Sequence, residues 1–295
     1  MLVYIDRPSV DGHLGGERVM ASKMNTLFRQ ATNFWNESSK GKLKHNYTYT
    51  VADIKIYEGS SNDPDLNNEY RNGPYDFNKY DVTVFFDCKQ DFDETGNGGA
   101  SCGGGANNRT IVWVMAGQEE KNIFEDNTYK TLVHELGHFR GVTDLYQYIV
   151  AANDNPVSNQ KFDPPACIMV STSDGVWSDY AANFMNFTGS KWMTGEKRGL
   201  TVFNDSYPKK IEITATVDGE AKRGVSVKVY GLRAGTRDIW PTAFLEGVTN
   251  TNGKYILNDS KQYYIPDKSK FPNFEFPERF DYGRWFGFLA EFEYK

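Results

Sequence analysis

Two histidines and a glutamate, in the run His134-Glu135-Leu136-Gly137-His138, are the residues of this chain best placed to do chemistry. On a helix, positions i and i+4 share one face, so His134 and His138 can offer two imidazole nitrogens to one metal ion, with Glu135 beside them. Gly141 can take the left-handed conformation that stops such a helix, and Asp144, three residues on, can return its carboxylate toward the histidines. Two imidazoles and one carboxylate make three protein ligands for a single zinc ion and leave a fourth position for water, the layout of a catalytic site. Glu135 fits the same reading as general base, because a closed structural site has no use for a carboxylate beside an open metal position. The chain has four histidines, and the other two, His13 and His45, lie in polar N-terminal stretches and read as surface residues. A helical glutamate further on would be a rival third ligand. The first one after Glu135 is Glu196, in Gly195-Glu196-Lys197-Arg198, so Asp144 is the better candidate.

The helix that must carry this motif is well signalled. Asp126 or Asn127 can cap its start, and Leu132, Val133, Leu136 and Phe139 supply its apolar faces. Before it, residues 2–5, 47–57, 82–87 and 111–115 read as strands rich in Val, Ile, Tyr and Phe. Ala21, Met24, Leu27, Phe28, Ala31, Phe34 and Trp35 mark one buried face of a long helix after the first strand. This order predicts a layered α/β sheet, interrupted by loops at 60–81 and 96–105. From Lys209 the pattern changes to alternating strands, 211–217, 225–230 and 286–294, with Asp218-Gly219 and Asn252-Gly253 as hairpin turn signals. Two domains follow, 1–203 and 204–295, the second an all-β sandwich.

The run from His134 to Asp144 resembles the metzincin clan of zinc peptidases, with its HExxHxxGxx(H/D) pattern followed by a methionine turn under the metal. The aspartate in third place is similar to snapalysin-like enzymes, and Gly141 to Tyr146 also resembles immune inhibitor A-like peptidases. The resemblance implies an α+β catalytic domain with a twisted mixed sheet and an active-site helix. It assigns His134, His138 and Asp144 as zinc ligands, Glu135 as catalytic base and Met169, in Cys167-Ile168-Met169, as the structural turn methionine. It also implies that the strand before the zinc helix borders the substrate cleft, which points to Trp113 and Val114, and that residues 170–180 wall a pocket, which points to Val170 and Tyr180. One place departs from the pattern: the tyrosine often found two residues after the turn methionine is Ser171 here, leaving Tyr146, Tyr148 or Tyr180 to stand in. Residues 217–229 and 249–255 are similar to the carboxypeptidase-regulatory or transthyretin-like sandwich modules appended to secreted enzymes.

Composition narrows the field. The formal charge is -6, with 33 Lys and Arg against 39 Asp and Glu and no basic stripe, so no nucleic-acid partner is expected. No run is apolar enough for a membrane span, and the first twenty residues are unlike a signal peptide. With a leader absent from the sequence read, the expected location is secreted, cell-surface or periplasmic. Cys88 and Cys102 are the plausible disulfide pair, and Cys167 reads as a small buried hydrophobe. The acidic stretch from Asn62 to Glu69 can be read as a calcium loop, though a solvated loop is the simpler reading. The function expected is a monomeric, zinc-dependent endopeptidase acting on proteins or peptides, with a glycan or protein partner for its C-terminal domain. Two other readings remain: an extracellular binding or adhesion protein with a vestigial zinc site, and a small-molecule metallohydrolase with a closed pocket.

Overall fold

A computed structural model describes residues 1–58, 80–87, 111–115, 124, 127–189, 208–233, 237–258 and 287–294, with Val114 the one side chain described in 111–115. The expected disulfide Cys88–Cys102, the Asn62–Glu69 stretch, Glu196 and the Trp113 side chain lie outside these residues. The chain divides into two compact units, Met1–Asp144 with Ala166–Val202, and Leu145–Pro165 with Phe203–Lys295. The expected boundary near residue 203 therefore gains an earlier excursion. Its reason is hydrophobic: Val150 is buried with Tyr230 and Ile239, and Val157 and Phe162 pack on the same cluster, so 145–165 finds its core among the later strands.

The first unit is built on a four-stranded sheet in the order β2-β1-β3-β4, where β1 is Leu2–Asp6, β2 Asp53–Tyr57, β3 Thr83–Asp87 and β4 Ile111–Met115. All three pairings are parallel; a mixed sheet was expected, and the described strands contain no antiparallel neighbour. All five residues of central β1 are buried, as in a parallel sheet covered on both faces. The strand expected at 47–57 begins only at Asp53. Before it, the Tyr47 N–H donates to the Asn36 side chain and the Tyr49 N–H to Thr32 Oγ1, so helix α1 takes up backbone groups that a ladder would need.

Helix α1 (Glu17–Ser38) buries Met20, Met24, Leu27, Phe28, Ala31 and Trp35, the three-and-four spacing of one apolar face. Phe28 meets Phe86 of β3 edge-on, with ring centroids 6.3 Å apart. Helix α2 (Thr128–Phe139) carries the metal-ligand motif, and helix α3 (Asp179–Gly189) follows it in the same unit. Asn127 is the N-cap of α2, but its side chain makes no capping hydrogen bond; burial of Leu132, Val133 and Leu136 holds the helix instead.

In the second unit β8 (Ser226–Arg233) lies between β10 (Leu245–Val248) and β12 (Gly287–Glu293), with β9 (Asp238–Ile239) also on β8. β5 (Lys210–Thr214) pairs with β11 (Lys254–Asn258), and β6 (Thr216–Val217) with β7 (Glu220–Ala221). Every pairing among the described strands of this unit is antiparallel. Asp218 and Gly219, with φ of 53° and 84°, make the two-residue hairpin turn that the sequence predicts. Asn252-Gly253 instead passes the chain from β10, on one sheet, to β11, on another. No helix among the described residues is long and apolar enough to cross a membrane.

Candidate metal centre

Helix α2 places His134 and His138 one turn apart with rings nearly perpendicular, centroids 5.0 Å and interplanar angle 88°. What aims them is a pair of backbone carbonyls. His138 Nδ1 lies 2.8 Å from the Val142 oxygen, and His134 Nδ1 lies 2.9 Å from the Ile168 oxygen. A carbonyl oxygen only accepts, so each Nδ1 carries a proton and donates, which leaves Nε2 as the nitrogen that can give its lone pair to a metal or, without one, hold a second proton. The two Nε2 atoms then converge on one carboxylate oxygen: Asp144 Oδ1 is 3.1 Å from His134 Nε2 and 3.0 Å from His138 Nε2.

The turn after α2 makes that convergence local. The Gly141 N–H donates to the His138 carbonyl at 2.8 Å and the Val142 N–H to that of Gly137 at 3.1 Å, the paired bonds of a Schellman stop. Gly141 has φ of 88° and faces Phe184, whose ring would stand 2.7 Å from a Cβ there. Glycine is required on both counts. The stop turns Val142's carbonyl back to His138 and leads the chain to Asp144.

The second support comes from the loop 167–178. The Cys167 carbonyl accepts from the N–H groups of Val170 and Ser171, at 2.8 and 3.0 Å, and this tight turn leaves the Ile168 carbonyl facing His134. Met169 is fully buried under the helix, its sulfur 2.6 Å from where a Cβ on Gly137 would sit. The bare α-carbon of Gly137 thus gives the sulfur its place. Trp177, also fully buried, closes the loop onto α1: its indole N–H donates to the Trp35 carbonyl and its backbone N–H to that of Ser38, both at 3.0 Å.

Three electron-rich atoms drawn together need positive charge between them. Burial works against a charge on His138, yet the hydrogen bond to Asp144 and the nearby charges of Asp144 and Glu135 raise its pKa to about 9. Burial likewise favours neutral Asp144, but hydrogen bonds to both imidazoles hold it well below the usual carboxylate range. A cation at the centre answers the same need. Zinc bonds of about 2.0–2.2 Å in a tetrahedron separate ligand atoms by about 3.3 Å, so the 3.0 and 3.1 Å found here fit after an opening of a few tenths of an ångström. Glu135 is buried with its Oε1 3.7 Å from His134 Nε2. The ligand atoms of His134, Glu135 and His138 all lie within 4.8 Å of one another.

The residues expected to line a cleft are less well served. The Val114 side chain is buried in the sheet, so any contact of this residue with a substrate would be through its main chain. Val170 is half-buried beside the methionine turn. Tyr180 is exposed on α3, its ring 6.3 Å from that of Phe184. Tyr146 lies under the guanidinium of Arg237 in the second unit. The two carbonyls that orient the histidines were not among the expected site residues. Val142 was in reach, since it directly follows the glycine that stops the helix and stands four residues after His138. Ile168 adjoins the expected turn methionine, Met169, but nothing in the sequence shows that its carbonyl turns to a histidine 34 positions away.

No family model matches the chain. No curated protein matches it either. Among solved structures, "Structure of a chaperone-substrate complex" is similar at 14% identity and a TM-score of 0.36, covering 63% of this chain and 33% of that one. OgpA from Akkermansia muciniphila is similar in two crystal forms. One has 11% identity and a TM-score of 0.40, covering 88% of this chain and 84% of that one. The other has 10% identity and a TM-score of 0.39, covering 99% and 90%. The chain thus spans about a third of the length of the first of these structures, and likeness at this level carries no weight for fold or function.

Proposed function

We propose that the first unit is a metzincin-like, zinc-dependent endopeptidase, with His134, His138 and Asp144 as ligands and Glu135 as general base. The observation that carries the reading is the convergence of two imidazole Nε2 atoms, each freed by a backbone carbonyl on its Nδ1, upon one Asp144 oxygen. A zinc ion held by His134, His138 and Asp144 would supply Lewis acidity, polarising a substrate carbonyl and lowering the pKa of a water toward about 7. Glu135, buried beside His134, would take one proton from a water as its oxygen adds to the carbonyl carbon, and would pass that proton to the amide nitrogen as the C–N bond breaks. His134 and His138 keep their orientation because each Nδ1–H donates to a backbone carbonyl, that of Ile168 and that of Val142 respectively. Among the described residues β4 is paired on one side only, with β3, and its other edge can take an extended peptide through main-chain hydrogen bonds. The protein acts outside the cytoplasm, and its second unit serves as an accessory module for a glycan or protein partner.

The test is cleavage of an unfolded protein by the wild type, with and without a zinc chelator, beside Glu135→Gln. Cleavage should stop with chelator, and the variant should bind zinc as before while losing a factor of about 10²–10⁴ in kcat. A zinc-loaded, folded wild type that cuts no unfolded protein and no peptide library overturns the peptidase reading and favours a binding protein.

A further inference from the structure

We infer that Asp174 is a positioning residue for the metal centre, holding the backbone of the methionine turn so that the Ile168 carbonyl stays on His134. The inference rests on the zinc reading of this site. Asp174 Oδ2 accepts the Cys167 N–H at 2.9 Å. The neighbouring peptide groups are fixed as well: the Cys167 carbonyl takes the N–H groups of Val170 and Ser171, and the Ile168 N–H donates to the Val176 carbonyl at 2.8 Å. Those bonds hold the backbone on the N-terminal side of the Ile168 carbonyl, which lies 2.9 Å from His134 Nδ1.

The location of Asp174 separates this role from core packing. Cys167 and Ile168 are fully buried, whereas Asp174 is exposed at the end of a short helical turn, Thr172–Asp174, capped by Ser171. Gly175, with φ of 61°, reverses the chain so that Val176 can return to Ile168. An exposed carboxylate is thereby directed inward onto one buried N–H. Without it that donor loses its acceptor, and the turn is free to shift by the few tenths of an ångström that matter to an imidazole hydrogen bond. The partners of metal-bound histidines change metal affinity about 10–100-fold when lost; Asp174 acts one bond further out, so the low end applies.

The experiment compares wild type, Asp174→Ala and Asp174→Asn, the last keeping an oxygen that can accept the same N–H. Zinc affinity is measured by competition with a chromophoric chelator, and the His134 Nδ1–H resonance is followed by NMR in the zinc-loaded protein. Asp174→Ala should bind zinc about tenfold more weakly and lose or broaden that resonance, with Asp174→Asn within about twofold of wild type. A loop-stability role alone would leave the resonance in place, and equal affinity in D174A would overturn the inference while leaving the zinc reading intact. Wild type that takes up no zinc would overturn both. Coupling is reciprocal, so a measurement on wild type alone also decides: zinc should slow hydrogen exchange at the Cys167 amide at least about fivefold over chelated protein, and equal exchange would overturn the inference even if D174A does not fold.

Discussion

His138 and His134 make the same bond, Nδ1–H to a backbone carbonyl, from opposite kinds of support. His138 uses Val142, four residues on, in the turn that ends its own helix. His134 uses Ile168, 34 residues on, in a loop that is held by Asp174, Val176 and two tryptophans. The first support forms with the helix, from local bonds alone. The second exists only after tertiary packing has set the loop 167–178 against α1 and α2. One metal centre thus depends on a local device and a distant one, and substitutions can be chosen to remove either.

The largest effect should come from the distant side. Trp177→Ala empties a fully buried site and removes the indole hydrogen bond to Trp35; Trp-to-Ala changes in cores cost about 3–5 kcal/mol. Chemical denaturation should show that loss. In protein that still folds, zinc affinity should fall with the His134 Nδ1–H resonance disturbed and the His138 resonance kept. Disturbance of both to the same degree would mean that the two supports are not separable. Gly141→Ala attacks the local side. A non-glycine residue at a φ of 88°, with a Cβ 2.7 Å from the Phe184 ring, should cost about 2–4 kcal/mol from backbone strain and overpacking together. Here the disturbed resonance should be that of His138, and Asp144 should move with it.

The same contrast explains what could be read beforehand. Helix α2, its stop at Gly141, β4 and the buried face of α1 follow from periodicity and from glycine's freedom, both of which act within a few residues. The convergence of His134, His138 and Asp144 was legible because i, i+4 spacing and a three-residue return are local geometry. The boundary at 145–165 was not legible, because Val150 and Phe162 are apolar residues in an irregular stretch, and only the later strands decide which core receives them. The burial of the Val114 side chain was not legible either, because an apolar strand residue looks alike whether it faces core or substrate. Tyr47 and Tyr49 read as strand because their side chains favour one; the polar groups of Asn36 and Thr32, in the last turns of α1, claimed their backbones.

The smallest effect should come from Met169→Leu, and it tests the joint between the two supports. Gly137 belongs to both: its carbonyl accepts the Val142 N–H of the local turn, and its bare α-carbon receives the Met169 sulfur of the distant one. Leucine keeps the volume and apolar character of methionine, so stability should change by less than about 1.5 kcal/mol. Its branch at Cγ, however, is wider than a thioether where the contact is tightest, and the unbranched chain of methionine is what lets it fill so narrow a gap. The turn should therefore back away from the helix slightly, and the His134 Nδ1–H resonance should shift upfield as its bond to Ile168 lengthens. Unfolding midpoints and that resonance, taken together, measure the coupling. A stability change within the expected range with no movement of the resonance would show that Met169 fills space without transmitting position, and would leave Asp174 and Trp177 as the groups that aim the loop.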